Sequence, residues 1–126
     1  MNTSTEEQAR LVASHTKTLA ALEEQMQSLL EYREAVAEAE RKLKLREATL
    51  LITIPPEGKN AEERAARHLV YCETDPACAE YRMAIQDNRR GAGEFQIQVD
   101  ITREECRMLR LQLALLANPG VVELAS

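Results

Sequence analysis

The residues best equipped for chemistry are His68, Cys72, Cys78 and Cys106, because imidazole and thiolate together make a soft ligand set that suits zinc. A spacing of four puts His68 and Cys72 on one face of a helix. No Cys-x-x-Cys pair accompanies them, and Cys78 and Cys106 fall at positions that an amphipathic helix buries. The thiols therefore read as small buried hydrophobes, and no metal is expected. Nucleophilic catalysis needs a Ser or Cys beside a base and an oxyanion site, and the only other histidine, His15, lies in an apolar helical row, where it reads as a packing or hydrogen-bonding residue. Gly58-Lys59-Asn60 lacks the preceding residues of a phosphate-binding loop. No catalytic residue, no cofactor and no enzyme activity are expected.

The cations are a second kind of candidate. Arg41, Lys42, Lys44 and Arg46 cluster in one helical segment, and Arg82, Arg89 and Arg90 in another. If the chain folds back so that facing positions sum to about 130, Arg41 and Lys42 approach Arg89 and Arg90. Like charges brought together need solvent, neighbouring carboxylates (Glu38, Glu40, Glu47, Asp87) or an anionic partner. Arg41, Lys42, Lys44, Arg89 and Arg90 are thus candidate phosphate contacts. Only Tyr81 and Phe95 lie nearby, both expected inward, so base stacking is not expected. Arg103, Arg107 and Arg110 share a helical face and by the same register approach Glu23 and Glu24.

Three segments must position these groups. From about Glu6 to Leu51 there is no Gly or Pro, and helix formers dominate. His15, Leu22, Leu29, Val36, Leu43 and Leu50 recur every seven residues, with Val12, Leu19 and Met26 as the expected companions of a coiled-coil seam. Ile54-Pro55-Pro56 ends this helix. Asn60 with Glu63 forms the Asn version of a capping box before a short helix from Ala61 to about Cys72. Asp75-Pro76 then caps a second long helix, whose heptads run Cys78, Tyr81, Ile85, Asn88, Ala92, Phe95, Val99, Thr102, Cys106, Leu109, Leu113 and Leu116. Asn118-Pro119-Gly120 ends it.

The expected architecture is all-α. Long helices over 5–53 and 76–117 form an antiparallel coiled-coil hairpin, residues 54–75 make a tip with a short helix, and 118–126 are a tail, all within one helical domain. One stretch competes with this reading: after Gly91-Ala92-Gly93, the residues Phe95, Ile97, Val99 and Ile101 alternate as a strand would. A small β element pairing 95–101 with 50–54 is the alternative. A two-helix hairpin leaves apolar surface exposed, so a dimer or higher homo-oligomer in a helical bundle is expected. Leu19, Leu22, Leu29, Val36, Leu43, Ile85, Phe95, Leu109 and Leu113 are the residues expected to carry the interface or core.

Composition fits this frame. One Phe, three Tyr and no Trp offer little for a thick globular interior. A net charge of −5 argues against a generic DNA coat. No apolar run approaches the roughly 18 residues of a membrane span, Met1–Glu7 lacks a secretory pattern, and three cysteines fit a reducing compartment, so a cytoplasmic location is expected.

Gly58-Lys59-Asn60-Ala61-Glu62-Glu63-Arg64, followed by Thr74-Asp75-Pro76-Ala77 and Tyr81, resembles a group of small helical coiled-coil proteins encoded by tailed bacteriophages and prophages. The resemblance covers roughly residues 45–116 and implies an accessory role on DNA or on a DNA-processing protein, in the host cytoplasm, with no active site to carry over. It departs at Gly91-Ala92-Gly93. The leading functional expectation is a non-enzymatic helical interaction and oligomerisation protein, whose partners are itself and another phage or host protein. Alternatives are a nucleic-acid accessory protein using the basic cluster, and an adaptor that recognises a partner through the Pro55–Pro76 tip.

Overall fold

The computed structural model describes residues 3–118, and within them the chain is all-helical, with α1 at Thr3–Thr53, α2 at Ala61–Thr74 and α3 at Pro76–Ala117. Two long helices with a short one between them is the hairpin arrangement expected from the heptads. At the end of α3, Asn118 N–H donates to Ala114 O at 2.9 Å. The rest of the tail expected at 118–126 lies outside the described residues. No helix among the described residues is long and apolar enough to cross a membrane.

Each boundary has a local cause. The Ile54 N–H still reaches Leu50 O at 2.9 Å, after which Pro55 and Pro56 supply no donor. Asn60 Oδ1 caps α2 by accepting from Glu63 N–H at 2.8 Å, and Glu63 Oε2 accepts in return from Lys59 N–H at 2.8 Å. The segment that resembles the phage proteins is thus a helix cap. A Cβ on Gly58 would stand 2.9 Å from Arg64 N and from Glu63 Cβ, so the turn back onto α2 requires the missing side chain. Asp75 caps α3 through Oδ2, which accepts from Cys78 N–H at 3.0 Å.

The chain divides into a central unit, Leu30–Ala92, and a terminal unit made of residues up to Leu29 and from Gly93 onward. In the central unit Leu50, Cys72 and Cys78 form a buried cluster with Leu43 against it, and Ala39 and Ile85 are also buried. Here α2 contributes its last turns to the core while Leu69 and Val70 stay exposed. In the terminal unit the buried positions are Leu29, Val99, Thr102 and Cys106.

All twelve heptad positions of α3 are buried or half-buried, as are His15, Leu22, Leu29, Val36, Leu43 and Leu50 of α1. The expected companions are corrected. Val12, Leu19 and Met26 are exposed, and the seam instead runs through the positions three residues after each heptad residue: Thr18, Gln25, Tyr32, Ala39 and Arg46. Both choices satisfy the three-four spacing of a coiled coil, and α3 lies on the side that sequence hydrophobicity did not favour.

The β alternative is overturned. Residues 50–53 belong to α1 and 95–101 to α3, with no strand among the described residues. Strict alternation in a helix separates into two rows of i, i+4 neighbours. Phe95 and Val99 enter the seam; Ile97 and Ile101 stand exposed on another face. The helix also passes Gly91 without a break, because that glycine has a packing role. A Cβ there would lie 2.7 Å from Tyr32 Cδ1 and Cζ and closer still to Cε1. Nothing lies within 4 Å of the corresponding point on Gly93.

Candidate functional site

The most constrained polar group is Asp75. Its carboxylate receives Arg46 in a fork, Nε to Oδ2 at 2.9 Å and Nη2 to Oδ1 at 2.8 Å, and also caps α3. The Asp75 side chain is 9% exposed and that of Arg46 37%, so the pair closes over the core cluster. The guanidinium and the Cys78 amide hold the Asp75 carboxyl far below the usual carboxylate range. Arg82 reaches back from α3 to the last carbonyls of α2, donating to Cys72 O at 3.3 Å and Glu73 O at 3.2 Å. These are fastenings between helix ends.

The thiol cluster is chemically quiet. Burial pushes Cys78 up to about 11, with the Asp75 hydrogen bond acting in the same direction, and burial also raises Cys72. His68 Nε2 lies 3.5 Å from Cys72 Sγ. No group of three or more His, Cys, Asp or Glu is placed to hold a metal ion among the described residues. Cys72, Cys78 and Cys106 are free and buried. At neutral pH the Cys72 and Cys78 thiols are protonated and shielded, which suits packing and not attack on a substrate.

The basic cluster is interleaved with carboxylates. Arg41 and Lys42 both pair with Glu38 on their own helix, and Arg89 pairs with Glu40 at 2.7 Å. Lys44 lines a groove of about 640 Å³ with Glu40, Glu47, Arg82, Ile85 and Arg89. Arg90 is exposed and makes no ion pair among the described residues. Arg89 reaches Glu40, one residue before Arg41, so the two segments do meet at a sum of 129, with the carboxylates of Glu38 and Glu40 set among their cations.

In the terminal unit His15, Leu19, Leu22, Arg103, Arg107 and Arg110 line one groove of about 610 Å³. Arg107 does not reach Glu23 or Glu24; it clamps Glu104 on its own helix, through Nε at 3.1 and 3.2 Å and Nη2 at 2.5 Å. Of the residues expected to carry core or interface, Leu29 and Ile85 are buried. Leu22, Val36, Leu43, Phe95, Leu109 and Leu113 are half-buried, and Leu19 is exposed.

No family model, curated protein or solved structure matches the chain. Function must therefore be argued from these surfaces. Two features escaped sequence reasoning. The Arg46–Asp75 clamp has no local signal beyond the Asp-Pro cap, because its partners lie 29 residues apart. The exposed row Ile97, Ile101, Met108 and Leu111 on α3 did have a signal, in its four-and-three spacing, which the alternation at 95–101 masks.

Proposed function

We propose that the chain is a non-enzymatic helical interaction protein that works by self-association, of the phage-encoded kind that the Gly58–Arg64 segment resembles. The observation that carries this reading is exposed apolar surface. Val12, Leu19, Met26, Ile97, Ile101 and Met108 are all among the exposed large hydrophobics of the terminal unit. Rows of this kind on a charged background mark interaction surfaces. The polar groups point the same way, since the thiols are packed in the interior and the Asp75 carboxylate is spent on fastening helices.

Light scattering on the purified chain at two salt concentrations, with and without a DNA duplex and a single strand, tests this. The expected result is a stable mass that is a multiple of 14.2 kDa and indifferent to DNA and salt. A monomer that gains mass only with DNA and loses it steeply with salt would replace this reading with the nucleic-acid accessory role.

A further inference from the structure

α3 carries two apolar rows. The first faces α1. The second, Ile97, Ile101, Met108, Leu111 and Leu115, follows the same alternating spacing of four and three, with Glu104 at the one remaining position. On a helical wheel it lies on the opposite side of α3 from the first. Its first four members are 38% to 62% exposed. A sustained three-four row is what a helix needs to pack along a second helix, and α1 occupies only the first of the two. α1 exposes its own row, Val12, Leu19 and Met26, but Thr16 and Glu23 fill the intervening positions, which leaves one apolar residue per heptad.

We propose that the second row of α3 is the seam of a homodimer, in which α3 of another copy packs antiparallel about a two-fold axis level with residue 106, on the face of α3 opposite Cys106. This rests on the self-association reading above and assigns its surface. Three observations select a second copy as the occupant. The first is register: an antiparallel match about this axis sets Ile97 against Leu115 of the partner subunit and Ile101 against Leu111 of the partner subunit, so the row completes itself. An isologous contact of this kind closes at two copies.

The second is charge. Glu104, the single acid in the row, is already clamped by Arg107, so the centre of the seam carries a neutral pair. Arg107 comes level with Arg107 of the partner subunit near the axis, each held by its own Glu104, and Asp100 follows one heptad along on the same edge. Pairing through Leu19 is less well matched, because in that groove Glu104 neutralises Arg107 and the single further acid, Asp100, stands against both Arg103 and Arg110. The third is shape. A groove of about 510 Å³ lined by Thr18, Ile101, Met108 and Leu109 offers the concavity that a facing side chain fills.

Mass and inter-copy distance together test the seam. The double variant Ile101→Glu, Met108→Glu changes two exposed residues and is expected to halve the mass from dimer to monomer with helicity retained, while Leu19→Glu stays dimeric. A monomeric parent chain would overturn the self-association reading and the seam with it. A dimer that survives the double variant but falls apart with Leu19→Glu overturns the seam alone.

Spin labels keep the proposal testable if the double variant fails to fold, since the native thiols are buried and an exposed cysteine is labelled selectively. Labels at Glu105→Cys sit beside the axis, and labels at Gln98→Cys stand about 20 Å further apart along the helices at 1.5 Å per residue. Finding the Gln98 pair clearly longer supports the antiparallel seam; equal distances or the reverse order overturn it.

Discussion

The central and terminal units are built from the same two long helices, yet they are secured differently. The central unit adds the end of α2, buries Leu50, Cys72 and Cys78 together, and closes over them with the Arg46–Asp75 fork and the Arg82 cap. Among the described residues the terminal unit has two helices, with His15, Thr18, Gln25 and Thr102 in its seam; His15 Nε2 and Gln25 Oε1 there, and His68 Nδ1 in the central unit, are buried without a hydrogen-bond partner in the chain. Buried polar atoms of this kind weaken a core. The terminal unit presents two unused apolar rows. The central unit also exposes apolar side chains, Leu45, Ile52, Leu69 and Met83 among them, so what sets the terminal unit apart is that its exposed residues fall in rows along one helix.

The largest effect expected is at Leu50, 3% exposed in the central cluster. Leu50→Ala should cost about 2–5 kcal/mol in urea unfolding. Leu22→Ala, at a half-buried position of the terminal seam, should cost clearly less. Equal losses would dissolve the contrast between the units.

Next comes the fork. Asp75→Asn should lower the melting temperature near neutral pH, and the deficit should depend on pH in a defined direction. The folded carboxyl titrates well below the ordinary carboxylate range, so its stabilising contribution is complete above the unfolded value and declines as pH falls toward the folded one. The gap between parent and variant should be constant above about pH 5 and shrink on acidification. A gap independent of pH from 7 down to 2 would mean that the ionised carboxylate is not what secures the helix ends.

The sequence made the helices legible because α3 keeps one heptad register from Cys78 to Leu116 and the breaks fall at Pro55-Pro56 and Asp75-Pro76. It misled about faces. Val12, Leu19 and Met26 look like the better companions by hydrophobicity, and only tertiary packing shows that α3 sits on the side of Thr18 and Gln25. The alternation at Phe95–Ile101 was a real pattern given the wrong period, since two helical rows interleaved along one chain read as a strand.

Gly91 marks the central unit's last residues, where Tyr32 occupies the space that a side chain would take. Gly91→Ala should destabilise by about 1–3 kcal/mol through overpacking, partly offset by the better helix propensity of alanine. Phenylalanine at position 32 should not relieve this, because the ring itself makes the clash, whereas Tyr32→Ala combined with Gly91→Ala should behave non-additively in a double-mutant cycle.

The smallest effect expected has the opposite sign and tests the same contrast two residues on. Gly93 opens the terminal unit's share of α3, with no atom near its missing Cβ and no left-handed backbone to require glycine. Gly93→Ala should therefore stabilise the chain by up to about 1 kcal/mol, since alanine loses less backbone entropy on entering a helix. The pair Gly91→Ala and Gly93→Ala thus reads two environments with one substitution. If Gly93→Ala destabilises instead, the flexibility of the helix at that point is part of how the terminal unit is held, and the view that it lacks only a partner would have to be given up.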